Sequence, residues 1–235
     1  MNSESSATRR RPALGTALAA LTLIAGACSQ LPAADLAHFP APAVDQAPTT
    51  AKGKQTAVLS GGCFWCAEAV FEQLAGVSDV TSGYTGGTAD QAHYEMVGSG
   101  KTNHAESIRI AFDPAKITYG QLLRIFFSVA HDPTQLNRQG PDVGSSYRSV
   151  IFYVNDEQRR LATAYIAQLD NAKIFPKSIV TQVTPLKGFY RAEDYHQDYA
   201  LHHPDNPYIQ VCDRPKIEML KQEFPDLFVE YAGTR

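Results

Sequence analysis

The chain has 235 residues, 44% of them hydrophobic, 19% charged and 10% aromatic, with 21 basic against 24 acidic side chains. A formal charge of -3 leaves no basic footprint for nucleic acid, and the composition is that of an ordinary globular protein, neither disordered nor collagen-like. Four cysteines, Cys28, Cys63, Cys66 and Cys212, are too few for a disulfide-dense scaffold, so each matters individually.

The N-terminus reads as an address. Arg9, Arg10 and Arg11 precede an uncharged run from Pro12 to Ala27 that closes on Leu23-Ile24-Ala25-Gly26-Ala27. A basic start, a short apolar stretch and small residues at the exit predict a signal peptide over residues 1–27. The run falls short of the about 20 apolar residues that span a bilayer. The small residues ahead of Cys28 resemble a bacterial lipobox. That resemblance implies cleavage at Cys28, lipid on this cysteine and anchoring at the periplasmic face, with Ser29 favouring the outer membrane. Soluble periplasmic secretion is the alternative. Residues 28–53, rich in Ala and Pro and without helical or strand periodicity, read as a flexible tether to a catalytic domain over 54–235.

In the folded part, Gln55–Ser60 is a short apolar strand stopped by Gly61-Gly62. From Cys63 the residues Cys66, Ala67, Val70, Phe71 and Leu74 make the stripe of an amphipathic helix, with Gly76 just past its end. Val77–Tyr84 and His104–Phe112 are strands. Thr118-x-x-Gln121 is a capping box opening a helix that carries Leu122, Ile125, Phe126 and Val129 on one side. Arg148–Val154 is a strand, Asn155 caps a helix to about Asp170, and Ser178–Thr184 is a further strand. Short helical pieces lie around Glu193–Leu201 and Lys216–Glu223. The alternation with long Gly/Pro-rich loops predicts an α+β sandwich rather than a doubly wound parallel sheet.

The chemistry begins at Cys63, where two glycines let the strand turn tightly into the helix. A thiol at the positive end of a helix dipole favours its thiolate. Cys66 lies three residues on, about 5–6 Å away by helical geometry, within reach of a disulfide. One reactive thiol with a second in reach is the layout of a redox cycle. Other readings of the pair are inert burial, a zinc module formed with Cys212 and His202, or a general CxxC disulfide oxidoreductase. The enclosed Phe64-Trp65, bulky and apolar, suggests a pocket for an apolar substrate group. In the strand from His104, Glu106 shares its parity with Ile108, Ile110 and Phe112, which puts a lone carboxyl on the apolar side. Buried without a cation, it would hold its proton near neutrality; paired with a basic residue, it would not.

Gly62-Cys63-Phe64-Trp65, Gly83-Tyr84-Thr85-Gly86-Gly87, Tyr94-Glu95 and Ser99-Gly100-Lys101-Thr102-Asn103-His104-Ala105-Glu106 resemble the A-type peptide-methionine sulfoxide reductases. So do the runs from His131 to Gly140, from Asp142 to Ser149 and from Phe189 to Gln197, with Asn103 and Ser145-Ser146 as small departures. The resemblance runs in order over roughly residues 55–225. It implies a ferredoxin-like two-layer core of mixed sheet and helices with extensive coil. It implies reduction of methionine-S-sulfoxide, in oxidised proteins and as the free amino acid, with no metal or bound cofactor. By the same resemblance Cys63 is the nucleophile, and Glu106, Tyr94 and Tyr147 serve the sulfoxide oxygen. Asp142 holds the polar side of the pocket, and Phe64 and Trp65 enclose the methyl group. Cys66 resolves the Cys63 sulfenic acid as a disulfide, which a thioredoxin-like dithiol reduces. Cys212 is a candidate second recycling thiol, an unpaired or half-buried cysteine being the competing reading. The expected partners are oxidised proteins and the reductant, with the membrane met only through the lipid; the expected state is a monomer.

Overall fold

The computed structural model describes residues 39–47 and 53–233. The signal peptide expected over 1–27 and the lipid site at Cys28 lie outside the described residues. In chain order the elements begin with β1 (Gln55–Ser60), α1 (Phe64–Phe71), β2 (Val77–Thr85), α2 (Tyr94–Gly98) and β3 (Ala105–Phe112). They continue with α3 (Tyr119–Ile125), the two-residue strands β4 (Arg138–Gln139) and β5 (Asp142–Val143), β6 (Val150–Tyr153) and α4 (Asp156–Asn171). Last come β7 (Gln182–Pro185), β8 (Phe189–Arg191), α5 (Tyr199–His202) and α6 (Arg214–Glu223). One turn of π-helix extends α3 over Phe126–Ala130, and another, Ile209–Asp213, leads into α6.

Six strands form one sheet in the order β7-β6-β1-β3-β2-β8, with β6 and β7 parallel and every other neighbour antiparallel. The middle four, β6-β1-β3-β2, with α1 and α3 as crossovers, have the β-α-β-β-α-β order of a ferredoxin-like core, as expected. Period-2 alternation of β3 turns Ile108, Ile110 and Phe112 toward the helices, where they pack with Val70, Phe71, Leu122 and Leu123. Burying each such side chain contributes about 1.5–3 kcal/mol, enough for the pattern to fix the register. The capping box of α3 is present in both directions: Thr118 accepts from the Gln121 amide, and the Gln121 side chain accepts from the Thr118 amide.

Two readings are corrected. The strand expected over Ser178–Thr184 pairs only from Gln182, as β7. The preceding residues bond elsewhere: the Ile179 amide donates to Asp170 Oδ1, the Val180 amide to the Pro133 carbonyl, and Thr181 meets Ser149. Within the expected tether, residues 39–47 are docked rather than free. Phe39 is buried, its carbonyl accepts from the Arg124 guanidinium, the Pro40 carbonyl accepts from Tyr165, and Asp45 accepts from the Gly120 amide. The segment thus ties α3 to α4 across the back of the helical layer.

Candidate active site

β1 sits centrally in the sheet, between β6 and β3, and ends at Ser60. Gly62 adopts φ +99°, where an L side chain is strained, and a Cβ there would lie 2.5 Å from Gln139 Cγ. A Cβ on Gly61 would stand 2.8 Å from His131 Cγ. Glycine at both positions lets the chain pass these side chains and set Cys63 as the N-cap of α1. Cys63 makes no side-chain capping bond, so its sulfur is not used to hold the helix.

Glu106 is reached from the other direction. Its side chain points with the apolar face of β3 toward α1, and Oε2 accepts a hydrogen bond of 3.1 Å from the amide of Phe64, the residue after Cys63. The carboxyl is 3% exposed, and no basic side chain pairs with it among the described residues. Burial, joined by the charges of Asp142 and Cys66, lifts it to about 8 against the opposing Phe64 bond. Of the two readings the sequence left open, the structure selects the uncharged acid.

The thiols differ from expectation. Burial pushes the Cys63 thiol well above its ordinary value, and Cys66, Glu106 and Asp213 push it further the same way. The helix dipole does not overcome that desolvation. Cys66, by contrast, is drawn down to about 6: the hydrogen bond from Cys63 is the largest cause, with Lys216, Asp213 and Tyr208 assisting against burial. In the reduced pair the negative charge therefore rests on Cys66, the sulfur with a cation nearby.

Around the pair stand the other residues singled out from sequence. Tyr94 opens α2, its amide donating to Glu193 Oε1 and its ring 4.5 Å from that of His196. Tyr147 ends a short 3-10 turn and packs on the core. Burial, then the nearby Glu106 and Cys63, raise both phenols, so both remain O–H donors. Asp142 on β5 accepts from the Tyr208 hydroxyl at 2.6 Å. Trp65 stacks on Tyr199 at 3.7 Å and donates from Nε1 to His196 Nδ1. Phe64 is 1% exposed against Tyr84 and His196, so of the aromatic pair Trp65 carries the accessible surface.

Cys212 lines the same cleft as Cys63 and Cys66, but it is buried and disulfide-bonded, which corrects the unpaired reading. Among the described residues no three His, Cys, Asp or Glu side chains converge as a metal site requires, so the zinc reading has no geometric support. Sequence reasoning missed Tyr208, Asp213 and Lys216, which surround Cys66, and gave His196 no role. The only signal for His196 was its place in the Tyr195-His196-Gln197 run.

Comparisons with known proteins agree with this geometry. Residues 55–227 match the family model described as peptide methionine sulfoxide reductase. A relative from Mesorhizobium japonicum named peptide methionine sulfoxide reductase MsrA 2 is 56% identical over 180 residues, covering 77% of this chain and 92% of the relative. A protein of the same name from a Synechocystis species is 52% identical over 190 residues, covering 80% and 89%. Among solved structures, the reduced form of Mxr1 from Saccharomyces cerevisiae superposes with a TM-score of 0.60 at 32% identity, covering 65% of this chain and 87% of that one. Methionine sulfoxide reductase A of Corynebacterium diphtheriae gives 0.56 at 32% identity, covering 66% and 77%.

Proposed function

The chain belongs to the peptide methionine sulfoxide reductase family, and on that premise we propose that it reduces the S epimer of methionine sulfoxide through Cys63 and Cys66. The substrates are oxidised proteins and free methionine sulfoxide. One observation carries the reading: a buried thiol pair and an uncharged carboxylic acid meet at the same helix end.

Cys63 Sγ attacks the sulfoxide sulfur. The S–O bond of the substrate breaks, the methionine sulfur gains two electrons, and the oxygen ends on Cys63 as a sulfenic acid. Glu106 donates its proton to that oxygen and recovers the one Cys63 releases, so the acid is uncharged again. Tyr94 and Tyr147 offer further O–H donors beside it. Asp142, held by Tyr208, keeps the polar side in place, and Trp65 with Phe64 encloses the methyl group. Cys66 then attacks Cys63, water leaves, and an external dithiol of thioredoxin type reduces the disulfide. The N-terminal pattern supports export: the Arg9–Arg11 cluster and the apolar run after it suit a monomer delivered to the periplasmic side.

The test is methionine release from each epimer by the full reduced chain, with dithiothreitol as reductant. Methionine is expected from the S epimer alone. No release from it, together with reduction of insulin disulfides, would instead make the chain a general disulfide oxidoreductase. Cys66→Ser should release one methionine per chain and then stall when a thioredoxin-type protein is the reductant. Sustained turnover of that variant would take the resolving role from Cys66.

A further inference from the structure

Asp213 is an aspartate at the start of a helix, a position where this residue ordinarily caps the free amides of the first turn. Here it does not. The π-turn over Ile209–Asp213 runs directly into α6, Asp213 itself has helical backbone angles, and its side chain makes no capping bond. Instead the carboxyl turns inward to 0% exposure, and Oδ1 is in direct hydrogen-bonding contact with Cys66 Sγ. Its second oxygen, Oδ2, has no hydrogen-bond partner among the described residues. A fully buried carboxyl aimed at a sulfur and otherwise unsatisfied is costly to keep, by about 1–3 kcal/mol for a neutral group and more for a charged one. Capping does not account for that cost, and the neighbouring Lys216 spends its own hydrogen bond on the Ala130 carbonyl.

We propose that Asp213 is the proton-holding catalytic residue of the recycling step, taking the proton of Cys66 as that sulfur attacks the sulfenic acid on Cys63. The inference rests on the reading that Cys66 is the resolving thiol. As the Cys66–Cys63 S–S bond forms, the S–O bond of the sulfenic acid breaks. The proton of Cys66 resides on Asp213, and the departing hydroxide takes the proton of Glu106 and leaves as water. When an external dithiol attacks Cys63, Cys66 leaves as thiolate beside the protonated Asp213, which restores the shared proton of the reduced pair. The second thiol of the dithiol then displaces Cys63, and the two protons of the dithiol restore Cys63 and Glu106.

The electrostatics point the same way. Burial first, then the charge of Cys66 and its hydrogen bond, lift Asp213 to about 10, while Cys66 is drawn down to about 6. The shared proton thus rests on oxygen and the charge on sulfur. The titratable groups facing the pair are Cys63 at the start of α1, Glu106 on β3, His131 after the π-turn of α3, Asp142 on β5, Tyr208 and Lys216. His131, drawn down to about 4 chiefly by burial, is neutral throughout the neutral range.

The experiment follows the sulfenic acid. The full-length chain is reduced, freed of reductant and mixed with S-epimer methionine sulfoxide. Methionine is quantified while the remaining sulfenic acid is trapped with a dimedone-type probe. At neutral pH Asp213→Asn should slow sulfenic acid disappearance by ~10²-fold, the scale of positioned acid–base help. It should slow the methionine burst far less, and resolution should recover as pH rises and Cys66 ionises to solvent. Equal slowing of both steps at every pH, or resolution as fast as in the unsubstituted chain, overturns the proposal. Where Asp213→Asn fails to fold, the unsubstituted chain decides. A resolution rate flat across neutrality supports the proton on Asp213, and one rising in proportion to hydroxide overturns it. Sustained turnover by Cys66→Ser would overturn the premise itself, separately from these results.

Discussion

Cys63→Ser is expected to abolish methionine formation, even in a single turnover of the S epimer with stoichiometric enzyme. The reason is electronic before it is kinetic. Reducing the sulfoxide takes two electrons, and they come from the Cys63 sulfur, which becomes a sulfenic acid. A serine oxygen has no comparable oxidised state to reach, since the corresponding product would be a peroxide. The substitution is also a clean one. Cys63 is the N-cap of α1, and serine is among the residues best suited to that position, so the helix is not expected to weaken. The thiol makes no capping bond, and its hydrogen bond to Cys66 is one that a serine hydroxyl, which is no larger, can also donate. A melting temperature close to that of the parent chain, beside methionine at background by chromatography, is the expected pair of results. A burst approaching one methionine per chain would remove Cys63 as nucleophile. Cys66→Ser provides the contrast, because it leaves the electron source in place and removes only its recycling.

What the sequence made legible was local or periodic. The capping box at Thr118 and Gln121 depends on four consecutive residues, and it is present as read. The parity of Glu106 with Ile108, Ile110 and Phe112 put a carboxyl on the core side, where it lies. Hydrogen bonds made to distant loops left no such trace. The apolar run from Ser178 resembles a strand, yet its first amides go to Asp170 and Pro133, and only Gln182–Pro185 pairs with β6. β8 is three residues long and is held by the edge of β2 through Gly83–Thr85 rather than by any propensity of its own. The docking of Phe39, Pro40 and Asp45 relies on the Arg124 and Tyr165 side chains and the Gly120 amide, beyond any window of the local sequence.

Within the site, spacing located the thiols, but it misassigned their charge. The dipole argument for Cys63 took account of the helix end and not of the desolvation that outweighs it, nor of Lys216, some 150 positions later in the chain, which acts on Cys66 instead. Asp213 carried a misleading signal. An aspartate two residues before a proline, at a helix start, reads as a cap, and only the inward turn of its side chain reveals another use.

Glu106→Gln tests the acid. Glutamine keeps the size of the side chain and an oxygen that can accept the Phe64 amide, while losing the dissociable proton. The rate of the methionine burst is expected to fall by ~10²–10⁴-fold, the usual contribution of general-acid help. The pH profile separates this from a packing defect. Burial lifts Glu106 from 4.5 to about 8, so the carboxyl keeps its proton through neutrality and loses it as pH climbs past that point. The burst of the unsubstituted chain should therefore hold near pH 7 and decline on the alkaline side. The thiols cannot produce that decline, because deprotonating Cys63 makes it a better nucleophile and accelerates the attack. Nor can Tyr94 or Tyr147, whose phenols are raised above their ordinary value and stay protonated there. An anionic Glu106 would withhold its proton and set a negative charge beside both the attacking sulfur and the sulfoxide oxygen, with no basic side chain paired to it among the described residues. In Glu106→Gln the alkaline decline should vanish along with most of the rate. A variant that retains the parent rate, or retains the decline at the same pH, would take Glu106 out of the reaction.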